Sequence, residues 1–234
     1  MSSRYSVAQR VDRGEQVVEL IDAGTKSSAT IVPTVGANCN RYVWEHQGQS
    51  LELLVSAPDY DALREGPYLY GNPILFPYPN RVRDGRFAFG GKQAALPINE
   101  PERNNAIHGL VYNRPWEVVS QGASDEEGAW VTLRFASSAH PEVEAAFPFP
   151  FEVLFTYRLK DGALANEMTA KNTGSGPMPM GYGLHPWFPL PLSPKGRRSQ
   201  CRVKAPVTGV WELDARLLPP GEIRVEVQDA KAVI

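Results

Sequence analysis

The sequence predicts an all-β fold with little helix, and three observations carry that prediction. The 20 Gly and 21 Pro residues fall between short apolar or alternating runs instead of gathering in one linker, which is the punctuation of strands and turns. The runs Val131-Thr-Leu-Arg-Phe135 and Glu222-Ile-Arg-Val-Glu-Val227 alternate with period two, as half-buried strands do. Helical signals are poor. Only Pro58 to Gly66 suggests a short helix, and it has too few apolar residues for a stable amphipathic face.

In chain order the candidate strands are Gln16 to Ile21, Ala29 to Pro33, Leu51 to Ser56, Arg86 to Phe89, Trp130 to Ala136, Phe151 to Leu159, Leu164 to Asn172, Cys201 to Ala205 and Glu222 to Val227. Lys160-Asp-Gly162 lies between two of them and reads as a tight hairpin turn, since Asp-Gly readily supplies positive φ. Arg83, Asp84 and Arg86 alternate with Val82, Gly85 and Phe87, which marks the start of a solvated strand. Two segments resist a strand reading. Gly66 to Arg86 is rich in Pro, Tyr and Asn, and Met178 to Lys195 holds Pro179, Pro186, Pro189, Pro191 and Pro194. Long aromatic loops inside a compact β domain are usually functional.

All-β sandwiches routinely reach 234 residues around a single core, so residues 1–234 are read as one domain. With 42% hydrophobic and 21% charged residues and a net charge of -2, the chain is an ordinary globular protein able to bury a sizeable core. The charges are interspersed and form no basic block, so nucleic acid and anionic lipid are not expected partners. No 18 apolar residues run together, so no membrane span is expected, and Met1 to Arg10 has no apolar leader region, which predicts a cytoplasmic location. Cys39 and Cys201 match no metal or redox spacing and read as reduced, buried thiols. Gly90-Gly91 and Gly181-Tyr-Gly183 lack the remaining glycines of a nucleotide-binding fingerprint, so no nucleotide cofactor is expected. His46, His108, His140 and His185 are too dispersed for zinc ligands, and no Gly-x-Ser-x-Gly elbow occurs; no metal is expected either.

Three stretches place polar groups in frames of aromatic, Gly and Pro residues: Leu75 to Phe87, Asn104 to Gly109 and Gly181 to Phe188. That combination suits a sugar site. An imidazole gives or accepts a proton near neutral pH, which makes His108 and His185 candidate catalytic residues, although a His between apolar neighbours is more often structural. Gly109 after His108 permits close approach of a ligand or a backbone, and Pro186 holds His185 extended. Asn80 and Arg81 follow Pro77 and Pro79 and could read vicinal hydroxyls; the alternative is a loop tied together by Arg81. Trp187 could stack on the apolar face of a pyranose, and Phe188, pointing to the opposite face, is assigned to the core.

These residues, in this order and spacing, resemble the aldose 1-epimerase (mutarotase) family. The likeness runs from Ile31-Val-Pro-Thr-Val-Gly-Ala-Asn-Cys-Asn-Arg-Tyr-Val43 through Phe76-Pro-Tyr-Pro-Asn-Arg81, Asn105-Ala-Ile-His-Gly109 and Arg114-Pro-Trp116 to His185-Pro-Trp-Phe188. The resemblance implies a large antiparallel β-supersandwich that interconverts the α and β anomers of a free aldohexose without a cofactor. It also implies that Asn80, Arg81 and His108 contact the sugar, that His185 protonates the ring oxygen, and that a carboxylate takes the proton of the C1 hydroxyl. In the family that Glu, and an Asp that binds sugar hydroxyls, come from beyond the region equivalent to Gly209 to Val227. The chain is therefore expected to lack the family's C-terminal strands. Three readings follow: a truncated enzyme, a short form that binds sugar without turning it over, or a base supplied by Glu100 or Glu102. The first ranks highest, because Ala230 to Ile234 carries no stop signal and lost strands would leave unpaired sheet edges. A non-catalytic carbohydrate-binding module and an epimerase of hexose 6-phosphates, with Arg83 or Arg103 supplying charge, stand as alternatives.

Overall fold

In the computed structural model, residues 3–204, 209–221, 224–226 and 231–232 are described. Strands β1 (Tyr5–Asp12), β2 (Glu15–Asp22), β3 (Ser27–Val32), β4 (Asn38–His46) and β5 (Gln49–Glu52) form an antiparallel meander in sequence order. Helix α1 (Tyr60–Glu65) follows, with Asp59 as its N-cap accepting from the Ala62 amide at 2.8 Å. Five short strands then build the connecting region: β6 (Ile74–Leu75), β7 (Arg81–Arg83), β8 (Arg86–Phe89), β9 (Lys92–Ala95) and β10 (Asn105–Ile107). The second large sheet consists of β11 (Glu117–Ser124), β12 (Gly128–Ala136), β13 (Phe151–Lys160) and β14 (Ala163–Asn172), antiparallel and in that order, with helix α2 (Pro141–Ala146) between β12 and β13. Strand β15 (Gly183–Leu184) pairs with β6, β16 (Val203–Lys204) with β19 (Lys231–Ala232), and β17 (Gly209–Trp211) with β18 (Arg224–Glu226).

The two large sheets pack face to face because alternate residues of their strands are apolar. In β13, Phe151, Val153, Phe155, Tyr157 and Leu159 are buried while their neighbours are only half-buried. They meet Val131, Leu133 and Phe135 of β12 and Val18, Leu20, Ala29 and Ile31 of the first sheet in one cluster. Burying each large apolar side chain stabilises by about 1.5–3 kcal/mol, so this cluster is the main source of fold stability. Tyr157 also crosses between the sheets, its hydroxyl donating to the Ala37 carbonyl at 2.9 Å.

The architecture is the all-β fold the sequence predicts, and most expected strands lie within a residue or two of their observed bounds. The Lys160-Asp-Gly162 turn joins β13 to β14 with φ of 51° at Asp161 and 75° at Gly162, the two positive φ values of a type I′ hairpin. Several expectations change. The strand expected from Leu51 to Ser56 ends at Glu52, because Val55 turns its amide to the Trp187 carbonyl instead. The strand expected from Cys201 to Ala205 is limited to Val203–Lys204, and residue 205 lies outside the described residues. Of Glu222 to Val227, residues 224–226 form β18, and 222, 223 and 227 lie outside the described residues. β1, β4, β6, β7, β9, β10, β11, β15, β17, β19 and α2 were not evident from patterning: β1 and β11 are largely exposed on both faces, which erases the alternation, and β6, β7 and β15 are pairings of two or three residues inside the two segments that resist a strand reading. Phe188, assigned to the core, is 60% exposed, because its segment lies in an aromatic loop beyond β15 and not in a two-faced strand. Cys39 is buried as expected, whereas Cys201 is only partly buried; both thiols are free.

Candidate active site

Strand β6 brings the three polar stretches together. On one side it pairs antiparallel with β15, Leu75 opposite Gly183 and Ile74 opposite Leu184. The ladder continues as the His185 amide donates to the Pro73 carbonyl at 3.1 Å and the Trp187 amide to Gly71 at 2.9 Å. On its other side Phe76 bridges Gly109, with the Leu110 amide donating to the Phe76 carbonyl at 2.8 Å. That approach demands glycine. Gly109 has φ of +82°, and a Cβ there would lie 2.3 Å from the Phe76 oxygen. Next to it β7 pairs with β10, Arg81 opposite Ile107, and the His108 amide donates to the Asn80 carbonyl at 2.9 Å. Asn80 (φ 58°) and His108 (φ 70°) both hold left-handed backbone at the end of this ladder. For non-glycine residues that conformation costs about 1–3 kcal/mol and clusters at functional sites.

The result is a cleft of about 340 Å³. His108 and His185 sit side by side in it, ring centroids 4.9 Å apart and planes inclined at 60°. Aromatic walls flank them: Trp187 lies 5.5 Å from His185 and Tyr68 5.7 Å from His108. The Trp187 indole donates to the Tyr68 carbonyl at 2.8 Å, which ties the two walls together. Leu69, Arg81, Asn99, Glu100, Glu102 and Ile107 complete the lining. Asn99 fixes the loop beneath His108, accepting from the Ile107 amide at 2.7 Å and donating to the Ile107 carbonyl and the Tyr112 hydroxyl, each at 2.9 Å.

Arg81 is held as a fork. Its Nε donates to Glu100 Oε2 at 2.8 Å and its Nη2 to Oε1 at 2.7 Å. Asn105 donates to Glu100 Oε2 at 2.8 Å and Arg103 to Oε1 at 3.2 Å. With Arg81 the largest influence, the Glu100 carboxyl is held down at about 2, and Arg81 is in turn pushed up. Burial, reinforced by the neighbouring His185, lowers His108 to about 4, so its imidazole is neutral at physiological pH. The Nδ1 atoms of both histidines are buried and without a hydrogen-bond partner among the described residues. Such orphans are rare in native interiors; the other one among the described residues, Asn72 Oδ1, does not line the cleft.

Of the residues singled out from sequence, Arg81, His108, His185 and Trp187 converge on the cleft. Asn80 does not line it; its side chain is exposed and accepts from Arg81 Nη1 at 3.1 Å. Glu100, weighed as a base, instead anchors Arg81, and Glu102 pairs with Arg103 at 3.1 Å. Arg83 is occupied by Asp214 at 3.3 Å and Arg103 by the two glutamates. Tyr68 and Asn99 were not foreseen. The aromatic density of Gly66 to Arg86 marked the segment, but nothing local distinguishes Tyr68 from Tyr70 or Tyr78. His46 stacks on Trp44 and His140 on Phe135, both away from the cleft. Among the described residues no three His, Cys, Asp or Glu are grouped to hold a metal ion, and no helix is long and apolar enough to cross a membrane.

Known proteins share the fold. A galactose mutarotase-like protein from Clostridium acetobutylicum superimposes with a TM-score of 0.86 at 29% identity, covering 95% of this chain and 65% of that one. The GalM/aldose epimerase homologue from C. elegans shares the fold with a TM-score of 0.67 at 18% identity, over 96% of this chain and 62% of its own. Among curated sequences, the uncharacterized protein YihR of Escherichia coli is 30% identical over 129 residues, 55% of this chain and 39% of its own length. This chain thus spans about two fifths of that relative and about two thirds of the Clostridium protein. The fold is the galactose mutarotase-like β-sandwich. Residues 17–232 match the family model described as aldose 1-epimerase, and the chain belongs to that family.

Proposed function

We propose that this protein is a mutarotase-type isomerase acting on a free aldohexose, with His108 and His185 as catalytic residues, Arg81 and Trp187 as sugar-binding residues, and Asn80 acting on the sugar only through Arg81, from which its side chain accepts. The observation that carries the reading is the pair of histidines 4.9 Å apart in a cleft walled by Tyr68 and Trp187. In this reading the pyranose stacks on Trp187 and Arg81 donates to its hydroxyls. A carboxylate base removes the C1 hydroxyl proton, the C1 to ring-oxygen bond breaks as the C1 carbonyl forms, and His185 delivers a proton to the ring oxygen. Rotation of the aldehyde and reversal of these steps give the other anomer. Positioned acid and base groups contribute about 100 to 10,000 fold. His108, neutral and desolvated, serves as a hydrogen-bonding partner of the sugar and not as a cation. A cytoplasmic setting belongs to the same reading, in keeping with two free thiols.

One observation favours a second reading, a sugar-binding module without turnover. Both carboxylates that line the cleft are tied to arginines, and Glu100 at about 2 is too weak a base to take a hydroxyl proton. Polarimetry of freshly dissolved α-glucose and α-galactose, corrected for spontaneous mutarotation, separates the two. Acceleration that disappears in His185→Ala supports the isomerase. Sugar binding by calorimetry without acceleration supports the module, and absence of both removes the sugar site.

A further inference from the structure

A second polar cavity of about 380 Å³ lies on the outer face of the five-stranded meander and shares no lining residue with the histidine cleft. Its floor is Thr30 and Asn40. Thr30 stands between Ala29 and Ile31, which face the main core, so its own side chain points to the opposite face, where α1 packs. Thr30 is 6% and Asn40 4% exposed. Asn40 Oδ1 accepts from the Ala57 amide at 3.0 Å, while Asn40 Nδ2 and Thr30 Oγ1, which have no hydrogen-bond partner among the described residues, open onto the cavity.

Three guanidinium groups rise around this floor. Arg10 binds Glu19 through Nε at 3.0 Å and approaches Asp12 through Nη1 at 3.2 Å. Arg13 donates Nη1 to the Pro58 carbonyl at 3.0 Å, and Arg41 donates Nε and Nη2 to Glu52 at 2.9 and 2.7 Å. Among the described residues each guanidinium keeps one terminal nitrogen uncommitted: Nη2 of Arg10 and Arg13, and Nη1 of Arg41. The acceptors are largely used. Asp12 Oδ2 accepts from the Tyr60 hydroxyl at 2.6 Å, and Glu52 accepts from Arg41 and Ser56. The cavity therefore offers an excess of donors, with planar guanidinium forks at the rim and a neutral amide and hydroxyl below. That is the complement of an oxyanion carried on a polyhydroxylated body.

We propose that this cavity is a second binding site, for a monosaccharide-sized molecule bearing a phosphate or carboxylate group. The proposal does not depend on the chemistry of the histidine cleft. Calorimetric titration of the full chain at low ionic strength with glucose 6-phosphate, glucuronate, inorganic phosphate and glucose tests it. Glucose 6-phosphate or glucuronate is expected to bind, the stronger of the two identifying the anionic group, and inorganic phosphate to bind more weakly. Arg41→Gln and Arg13→Gln are each expected to weaken binding about tenfold or more, the loss of one charge-assisted contact. Arg81→Gln, which alters the histidine cleft, is expected to leave the oxyanion-dependent part of the binding, the excess over glucose, unchanged. Thr30→Val, isosteric and compatible with a strand, checks the floor without disturbing an ion pair and is expected to weaken binding severalfold. Absence of binding by every oxyanion overturns the proposal, as does binding lost in Arg81→Gln but kept in Arg41→Gln and Thr30→Val, which would place the anion in the histidine cleft.

Discussion

Glu100 grips Arg81 through both carboxylate oxygens, at 2.7 and 2.8 Å, and presents the guanidinium to the cleft in one orientation. The pair is largely buried, Glu100 at 8% and Arg81 at 16% side-chain exposure. Removing one partner of such a pair leaves an uncompensated charge, which is the costly way to break it. Glu100→Gln is therefore expected to weaken sugar binding about tenfold, raising KM more than it lowers kcat. Calorimetry with the preferred hexose checks it, and unchanged affinity would deny Glu100 a positioning role.

The same pair makes stability depend on acid. The Glu100 carboxyl is held at about 2, below its ordinary 4.5, so its contribution is present above pH 4.5 and is lost as pH falls through about 2. Urea midpoints measured from pH 6 to 2 are expected to fall less steeply below pH 4.5 in Glu100→Gln than in the parent.

His108 imposes a slope in a different window. Its folded value of about 4 lies below the ordinary 6.5, so between these limits the unfolded chain binds more protons and stability declines as pH is lowered from 6.5 to 4. In His108→Asn, a substitution that tolerates left-handed backbone, that part of the slope should disappear. An NMR titration of the His108 ring is expected to show a midpoint near 4; a midpoint at 6 or above would contradict the buried, neutral imidazole.

Gly109→Ala tests the seam between the Phe76 and His108 segments. The added Cβ meets the Phe76 carbonyl at 2.3 Å on a backbone with φ of +82°, so the strand bridge must open. A loss of roughly 2 kcal/mol or more in urea unfolding is expected, together with loss of sugar binding. Gly48→Ala, where φ is +73° and no atom lies within 4 Å of the added Cβ, separates the two effects: it should cost only the backbone strain, about 1 kcal/mol.

Trp187→Ala is expected to lower sugar affinity about tenfold through lost stacking, with Trp187→Phe retaining most of it. Because the indole also ties the two cleft walls through the Tyr68 carbonyl, the Phe variant keeps the ring but not the tie. Tyrosine fluorescence quenching or calorimetry with glucose reads both variants.

What the sequence determined by itself were the properties written into neighbouring residues. Alternation of Phe151, Val153, Phe155, Tyr157 and Leu159 fixes a two-faced strand, and Asp161-Gly162 fixes its turn, because pleat and positive φ are local constraints. The polar motifs around Arg81, His108 and His185 were legible for the same reason. Tertiary structure decided everything that depends on which strand lies beside which. Glu100 reads in sequence as a loop carboxylate that could be a base; only the pairing of β7 with β10 brings it against Arg81 and ties up both of its oxygens. Tyr68 becomes a cleft wall because Trp187 reaches its carbonyl across 119 positions of chain. Phe188, whose local pattern assigned it to the core, stays exposed because the loop after β15 runs along the cleft and not into the sandwich. Contacts of this kind are set by long-range strand registry, and no local pattern of residues encodes it.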